Sequence, residues 1–194
     1  MSLFGGMRRR QFEQLVRPLV KPLYQAALRL TRQAEWAEDL TQDALIRAYE
    51  RYHLFTPGTN FRAWLFTILT HLYLNDCERA RRRPTQVSLH TTSDTDESWD
   101  FPSDRKEENP ETALLLDILP ETLQKALDSL SEEFRLAVIL VDMEELSYQE
   151  TADALGVPIG TVRSRVSRGR SLLRKYLANS SQTTTPMTER GSEI

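Results

Sequence analysis

The chain has 194 residues, with 25 basic and 28 acidic side chains, a formal net charge of −3 and a hydrophobic content of 40%. These values are typical of a water-soluble globular protein with one or two small domains. The most apolar stretch, residues 61–74, is broken by four polar side chains. No segment therefore reaches the ~18 apolar residues that would span a bilayer.

Cysteine and histidine are too sparse to indicate a metal or redox centre. The one cysteine, Cys77, excludes an internal disulfide, and the three histidines stand far apart in the sequence. The run Arg8-Arg9-Arg10 is followed by no long apolar core, unlike the basic start of a signal peptide. The sequence therefore predicts a cytoplasmic protein with no cofactor and no metal of its own.

The first half of the chain has the apolar periodicity of helices. Apolar residues recur at steps of three and four from Phe12 to Leu30, and Pro18 and Pro22 predict a kink or a break within that helix. Further helices are predicted over residues 34–52 and 61–82, on either side of a turn at residues 56–60, in which Thr59 or Asn60 can cap the second one. Their candidates for burial are Trp36, Leu40, Ala44, Ile46, Tyr49, Trp64, Leu65, Ile68, Leu69 and Leu72.

The helix predicted over residues 34–52 carries a compact acidic and amide patch. Asp39, Gln42 and Asp43 are spaced i, i+3 and i+4, so they share one face. Such a patch suits docking against a positively charged partner, although acids near a helix N-terminus are also favoured by the helix dipole alone.

The helix predicted over residues 61–82 mixes aromatic and basic side chains. Phe61, Trp64, Phe66 and Tyr73 alternate with polar and basic residues, and four arginines lie between Arg79 and Arg83. Aromatic faces beside arginines can hold unpaired nucleic-acid bases. Trp64 and Leu65 are nevertheless expected in the core, so the candidates for nucleic-acid contact are Asn60, Arg62, His71, Asn75 and Arg79.

The stretch over residues 84–112 breaks the helical pattern and is rich in Asp, Glu, Ser and Thr. It is predicted to be a flexible acidic linker. Its 29 residues can span up to ~100 Å at ~3.4 Å per residue. Helical patterning resumes near Ala113, and Ser131 is placed to cap a helix that reaches Met143. The predicted fold is all-α, with helical domains over residues 8–83 and 113–178 and a disordered tail over residues 179–194.

The last third of the chain has the pattern of a helix-turn-helix. Ser147 and Glu150 have the spacing of a capping box, which would begin the first helix. Gly156 suits the positive φ of the turn, and Pro158 suits the first position of the second helix. A short helix, a glycine turn and a second helix together form a device that enters the DNA major groove.

The second helix of this motif is strongly basic. Residues 161–175 contain six positive side chains and no acid, although the whole chain is acidic. A localised positive stripe is the electrostatic pattern expected for contact with phosphates. Arg163, Ser164, Ser167 and Arg168 lie on one arc that can face a groove, while Val162, Val166 and Leu173 face inward. Arg165 and Arg170 can touch phosphates or pair with acids such as Glu144 or Glu145.

The two halves together resemble the extracytoplasmic-function (ECF) sigma factors, which are promoter-recognition subunits of bacterial RNA polymerase. The first half is similar to sigma region two in residues 37–44 and 60–68, and the second half is similar to region four in residues 147–152 and 158–165. The resemblance covers roughly residues 10 to 178. The ordered pair of motifs with an acidic linker between them is far more specific than a helix-turn-helix alone.

The resemblance implies three interaction surfaces. The core polymerase surface, which meets the clamp helices of the largest polymerase subunit, would comprise Asp39, Gln42, Asp43 and Arg47. Asn60, Arg62, His71, Asn75 and Arg79 would contact and open the minus-ten element, with one base flipped out near residues 54–60. His71 stands where the family commonly has asparagine, which would alter the preference for the minus-ten sequence. Thr161, Arg163, Ser164, Ser167 and Arg168 would read the minus-thirty-five element.

The resemblance also implies partners and regulation. The helix from Ser131 to Met143 is similar to the segment that contacts the polymerase flap. Two promoter elements ~17 bp apart lie ~58 Å apart along the duplex at ~3.4 Å per step, and the linker is long enough to span this distance. Its acidic side chains would then occupy a basic channel of the polymerase. The pattern at residues 58–60 and 158–161 is similar to stress-responsive members that are held inactive by zinc-containing anti-sigma proteins. Cys77 has the setting of a core residue rather than of a redox sensor.

Two other classes of function compete with this interpretation. A two-domain transcriptional regulator would bind duplex operators with the same helix-turn-helix, without recruiting polymerase. A helical enzyme could pair carboxylates among Glu35, Glu38, Asp39 and Asp43, but no histidine pattern, nucleophile elbow or phosphate loop accompanies them. The sequence therefore predicts a sigma factor that is not an enzyme.

Overall fold

The computed structural model describes residues 3–82 and 120–182, and every regular element in these two ranges is helical. The described α-helices are α1 (Leu3–Val16), α2 (Val20–Thr31), α3 (Ala34–Arg51), α4 (Phe61–Arg82), α5 (Glu121–Asp128), α6 (Glu132–Val138), α7 (Tyr148–Leu155) and α8 (Ile159–Gln182). Short 3-10 turns cover Arg17–Leu19 and Tyr52–Leu54, and a π-helical turn covers Ile139–Met143. The predicted all-α fold class is confirmed.

The break predicted in the first helix occurs at Pro18. α1 ends at Val16, and Pro18 lies in the 3-10 turn that leads into α2. Proline interrupts a helix because it has no N–H to donate and its ring clashes with the preceding turn. Pro22 lies in the first turn of α2, where the missing N–H costs nothing. α2 ends at Arg32, which adopts a left-handed φ of 62° and donates its N–H to the carbonyl of Leu28.

Helices α2, α3 and α4 pack together around a tightly filled interior. Leu23, Leu40, Leu65, Phe66 and Leu69 are almost completely buried there, and alanines on α2 and α3 let the helices approach closely. Trp36, Trp64 and Ile68 are half-buried rather than fully buried.

The prediction that Ile46 and Tyr49 are buried is wrong, since they are 50% and 44% exposed. Ile46 lies seven residues after Asp39, which brings it back to the same outer face of α3 at about 100° per residue.

An aromatic cluster positions the loop that precedes α4. The ring of Phe61 lies 6.0 Å from Phe12, 6.3 Å from Tyr52, 5.2 Å from Phe55 and 5.5 Å from Trp64, measured between centroids. Asn60 caps α4, because its Oδ1 accepts a hydrogen bond from the Ala63 amide at 3.3 Å. The entry to α4 is therefore fixed by a cap and by aromatic packing at once.

The helix-turn-helix forms as its sequence predicts. The Glu150 amide donates to Ser147 Oγ at 3.2 Å, and the Ser147 amide donates to Glu150 Oε2 at 2.8 Å, which completes the capping box. Gly156 ends α7 with a φ of 63°. Pro158 stands just before α8 rather than at its first position, and its carbonyl accepts from the amides of Thr161 and Val162.

Helices α5, α6 and α7 all pack against α8. Val162 and Val166 are fully buried, as predicted, and Leu173 is half-buried. Gly169 lies at the crossing of α6 and α8, where a Cβ atom would come within 2.6 Å of Val138 Cγ2. Only glycine allows the two helices to approach this closely.

Three predictions about the ends of elements need correction or lie outside the described residues. Ser131 stands at the N-cap of α6, but its side chain makes no capping hydrogen bond. The tail predicted to be disordered from residue 179 is wrong for residues 179–182, which continue α8. The acidic linker, the helix predicted near Ala113 and residues 183–194 fall outside the described ranges.

The two helical halves pack against each other and share one hydrophobic core. Buried residues of α2, α3 and α4 belong to the same cluster as Leu127, Leu130, Leu136, Leu140 and Ala154 from the second half. Most of this contact joins α4 to α7, the first helix of the helix-turn-helix. The sequence predicted two separate domains on a tether, whereas the structure presents them closed upon each other.

Candidate polymerase and promoter interfaces

The acidic patch of α3 faces outward. Asp39, Gln42, Asp43 and Arg47 are all exposed on this helix. Within the described ranges no ion pair engages any of them. The exposed apolar side chain of Ile46 lies among them, and Tyr49 and the 65% exposed Leu54 lie nearby along the chain. We call this the α3 surface; it combines acids with uncovered apolar area, a combination suited to binding another protein.

The five predicted minus-ten residues do not form one continuous surface. His71, Asn75 and Arg79 are exposed at four-residue steps along one face of α4. Arg62 lies nine residues before His71, so at about 100° per residue it projects from the opposite side of the helix. Asn60 caps the N-terminus of α4 and is exposed. The structure therefore groups three of the residues and sets Arg62 apart.

Arg62 is held by the second half of the chain. Its Nη2 donates to Glu144 Oε2 at 2.6 Å, its Nε donates to the Glu144 carbonyl at 2.8 Å, and its guanidinium lies 5.1 Å from the centre of the Phe66 ring. Arg29 donates to the other oxygen of the same carboxylate at 2.9 Å. Glu144 is 1% exposed. Burial raises the pKa of Glu144, and the two guanidinium groups oppose that shift.

Asn60 is also engaged across the two halves. Its Nδ2 donates to Glu150 Oε1 at 2.8 Å, while the other oxygen of Glu150 completes the capping box. Although burial acts in the opposite direction, the hydrogen bonds from Ser147 and Asn60 hold the pKa of Glu150 below its usual range. Asn60 and Arg62, two predicted DNA contacts, are therefore both occupied by protein partners in this arrangement.

The arc of α8 predicted to enter a DNA groove is accessible. Arg163, Ser164, Ser167 and Arg168 are exposed, and Ser164 Oγ donates back to the Thr161 carbonyl at 2.9 Å. Thr161 is half-buried in the first turn of α8. Fully buried Val162 and Val166 hold the opposite side of this helix against α6 and α7. The helix can therefore present its polar arc to a partner without losing its own packing.

Arg165 and Arg170 of α8 were predicted either to touch phosphates or to pair with acids of the protein. Both pair with acids of the second half of the chain, but these acids are not the expected ones. Arg165 pairs with Glu133 at 2.9 Å, and Arg170 donates its Nε to Asp142 Oδ2 at 3.0 Å. The expected acids were Glu144 and Glu145; Glu144 points instead into the contact between the halves, and Glu145 is exposed.

Sequence reasoning missed the role of Glu144 and Arg29. Glu144 sits between Asp142 and Glu145 in a local acidic run, and nothing in its immediate sequence distinguishes it from those two. The π-helical turn over Ile139–Met143, in which the Glu144 amide donates to the Ile139 carbonyl at 3.0 Å, sets the direction in which this residue leaves the helix.

Each half of the chain matches a family of known proteins. The Sigma-70 region 2 family matches residues 15–83, and the Sigma-70, region 4 family matches residues 121–173. The chain is 37% identical over 151 residues to the ECF RNA polymerase sigma factor EcfG of Rhodopseudomonas palustris, covering 78% of this chain and 76% of that protein. The chain belongs to the ECF family of RNA polymerase sigma factors. It is an RNA polymerase sigma factor of the stress-responsive type, as the sequence predicted.

Two further relatives place this sigma factor within its family. It is 43% identical over 173 residues to the ECF RNA polymerase sigma factor SigE of Mycolicibacterium smegmatis, covering 89% of this chain and 64% of the length of that protein. Its fold resembles that of the sigma factor RpoE from Bartonella quintana, solved in complex with the anti-sigma factor NepR. The TM-score is 0.65 at 31% identity, covering 87% of this chain and 98% of the other.

Neither a membrane helix nor a metal cluster is found in the described ranges. Over residues 3–82 and 120–182, no helix combines the length and the apolar character needed to cross a membrane. In the same part of the chain, His, Cys, Asp and Glu side chains form no group of three that could hold a metal ion.

Proposed function

We propose that this sigma factor binds core RNA polymerase, reads the minus-ten and minus-thirty-five elements of a promoter and helps to open the DNA. The proposed division is a region-two domain over residues 8–83, a linker over 84–112 and a region-four domain that begins at residue 113 and extends to the end of α8 at Gln182. Opening would use binding energy, through base contacts and base flipping, rather than covalent catalysis.

The observation that carries the proposal is the free polar arc of α8. Arg165 and Arg170 already have acid partners, whereas among the described residues no acid pairs with Arg163 or Arg168. An exposed arginine on the second helix of a helix-turn-helix can bond guanine O6 and N7 in the major groove. Arg163, Ser164, Ser167, Arg168 and Thr161 are therefore the proposed minus-thirty-five contacts.

The α3 surface is the proposed contact with core polymerase. Asp39, Gln42, Asp43 and Arg47 supply charge, and the exposed Ile46 supplies apolar area at its centre. Buried apolar centres with charged rims are the general design of stable protein interfaces. The segment from Ser131 to Met143 is proposed to meet the polymerase flap. A cytoplasmic location is proposed with these contacts, because polymerase works in the cytoplasm.

The exposed face of α4 is the proposed minus-ten contact. His71, Asn75 and Arg79 share this face and supply donors and acceptors along about two turns of helix. Asn60 would join them from the loop at residues 54–60, near which the flipped base would bind. Arg62 could join this contact only after it leaves Glu144.

An anti-sigma protein is the proposed regulatory partner. The similar RpoE from Bartonella quintana was solved with the anti-sigma factor NepR, which supports a partner of this class for the present chain. Whether such a partner contains zinc, as the sequence pattern suggested, stays a prediction. The exposed apolar and acidic side chains of the α3 surface would be a natural target, because covering them would block core polymerase.

Reconstitution with bacterial core RNA polymerase tests the proposal and its main alternative together. A sigma factor should bind core enzyme directly and should start promoter-specific transcription only when core enzyme is present. A regulator that acts without recruiting polymerase would bind its operator duplex as tightly alone as in the mixture. Asp43→Asn in the α3 surface should weaken core binding, whereas Glu121→Gln, on the exposed start of α5, should leave it unchanged.

A further inference from the structure

The basic segment at the start of the chain belongs to none of the interfaces described above. Residues 8–21 carry five basic side chains and one acid, and all six are exposed: Arg8, Arg9, Arg10, Arg17, Lys21 and Glu13. Residues 33–46, which include Asp39, Gln42 and Asp43 of the α3 surface, carry four acids and no base. The first half of the chain therefore has two surfaces of opposite charge, and phosphates would be drawn to the basic one.

A single aromatic ring anchors this part of α1 to the rest of the domain. Among residues 8–16, Phe12 is the only buried side chain, at 6% exposure. Its ring meets Tyr52 and Phe61 edge-on, with ring centroids 5.4 Å and 6.0 Å apart. Tyr52 and Phe61 stand at the two ends of the loop at residues 54–60, so Phe12 holds α1 beside that loop.

Helical spacing divides the arginines of α1 between two faces. At about 100° per residue, Arg8 and Arg9 lie about 40° and 60° from Phe12, so they flank the anchored face beside the loop. Arg10 lies about 160° from Phe12 and points away. Within residues 3–82 and 120–182, no acid pairs with Arg8. Arg9 pairs with Glu13 at 2.7 Å, but both side chains are more than half exposed, and such a surface pair is readily exchanged for a phosphate.

The loop beside α1 is where an unpaired DNA strand is expected, since residues 54–60 lie next to the proposed site of the flipped base. Extruding a base costs free energy, and contacts to the neighbouring backbone help to offset that cost. Exposed guanidinium groups bind phosphates through their fork of N–H donors, and such contacts hold a strand in position without reading its sequence. The flank of α1 that carries Arg8 and Arg9 therefore has both the charge and the position to bind the backbone of that strand.

We propose that Arg8 and Arg9 bind the phosphates of the unpaired strand whose flipped base lies near the loop at residues 54–60. The inference rests on the proposed minus-ten contact and extends that contact from α4 to α1. In this arrangement α1 adds affinity for the opened strand, while Asn60 and the exposed face of α4 read its bases. Phe12 is the positioning residue that keeps the two arginines beside the loop.

The salt dependence of DNA binding is the first test. Holoenzyme made from core polymerase and the full chain is titrated with a fluorescent fork-junction DNA that carries the minus-ten sequence selected by the wild type. Each lost phosphate contact on a single strand lowers the slope of log affinity against log salt by about 0.7. Arg8→Gln/Arg9→Gln should therefore lose about 1.4 from this slope, so its deficit in affinity should shrink about fivefold between about 100 and 300 mM KCl. Its preference among minus-ten sequences should stay the same.

Arg10→Gln is the matched control, because it removes the same charge from the same helix on the face that points away, and its slope should equal that of the wild type. Arg8→Lys/Arg9→Lys keeps both charges and should keep the slope as well. All three side chains are exposed, so circular dichroism should show unchanged helix content in every variant. Equal slopes for the wild type and Arg8→Gln/Arg9→Gln, or a loss of about 0.7 for Arg10→Gln, would overturn the proposal.

Cross-linking locates the contact on the DNA. A photoreactive group is attached to Arg8→Cys or to Arg10→Cys, each in a Cys77→Ser background, before the holoenzyme is assembled on the same fork-junction DNA. The group at position 8 should link to the unpaired strand next to the flipped base, and the group at position 10 should give far less product. Links from position 8 to polymerase alone would overturn the proposal. Failure of the wild-type holoenzyme to bind this DNA would instead refute the proposed function on which the inference rests.

Discussion

Gly169→Ala is expected to destabilise the region-four domain, although alanine is normally the better helix former. In the interior of α8 the exchange should gain up to about 1 kcal/mol from helix propensity. The new Cβ would, however, lie 2.6 Å from Val138 Cγ2 and 3.6 Å from Phe134 Cβ. Val138 is 3% exposed and β-branched, so it has little freedom to rotate away. Overpacking of this kind costs roughly 1–3 kcal/mol.

With the full propensity gain set against the overpacking cost, the net expectation for Gly169→Ala is a loss of up to about 2 kcal/mol in the free energy of unfolding. Gly160→Ala is the matched control, because a Cβ there would have no atom within 4 Å. It should be neutral or more stable by up to about 1 kcal/mol. Urea unfolding, monitored by circular dichroism, measures the free energy of unfolding of both variants. Equal slopes of the two transitions would show that both variants unfold by the same two-state mechanism. If Gly169→Ala were as stable as Gly160→Ala, the close crossing of α6 and α8 would be refuted.

Four further outcomes are expected. Arg163→Ala should reduce discrimination at one minus-thirty-five base pair by about 5- to 150-fold, the equivalent of ~1–3 kcal/mol, in gel-shift assays of the holoenzyme. Lys175, an exposed basic residue of α8 outside the proposed base-reading arc, can contribute only general attraction to phosphates, so Lys175→Ala should weaken all sequences alike and preserve the preference. His71→Asn should change the preferred minus-ten sequence in a selection from random promoters, and an unchanged consensus would remove His71 from the contact. Burial raises the pKa of Cys77 to about 11, so iodoacetamide should alkylate it more slowly at neutral pH than it alkylates glutathione. Cys77→Ser should accordingly leave any redox response of transcription intact, and loss of that response would make Cys77 the sensor.

Local sequence patterns predicted the elements well because their causes are local. The capping box of Ser147 and Glu150, the left-handed Gly156 and the break at Pro18 each depend on residues within a few positions of one another. The arc of α8 followed from helical spacing alone, since a helix with buried Val162 and Val166 must expose Arg163 and Ser167. These are the parts of the candidate site that a single sequence can specify.

The contact between the halves was beyond the reach of those patterns. Arg29 and Glu144 are 115 positions apart, and no local rule shows that this particular acid is buried while Glu145 is exposed. Arg62 was predicted as a DNA contact because a basic residue in an aromatic helix suits nucleic acid, yet its partners here are the carboxylate and carbonyl of Glu144. Ile46 was predicted to be buried because it is apolar, although its position on α3 lies on the acidic outer face.

Transcription by core polymerase over a randomised promoter library tests the central claim most directly. With this sigma factor added, transcripts should start downstream of two enriched sequence elements about 17 bp apart, a separation that matches ~58 Å of duplex. Without it, the same core enzyme should show no such enrichment. Failure of the purified chain to associate with core polymerase, or enrichment of a single element that is also bound without polymerase, would contradict the account.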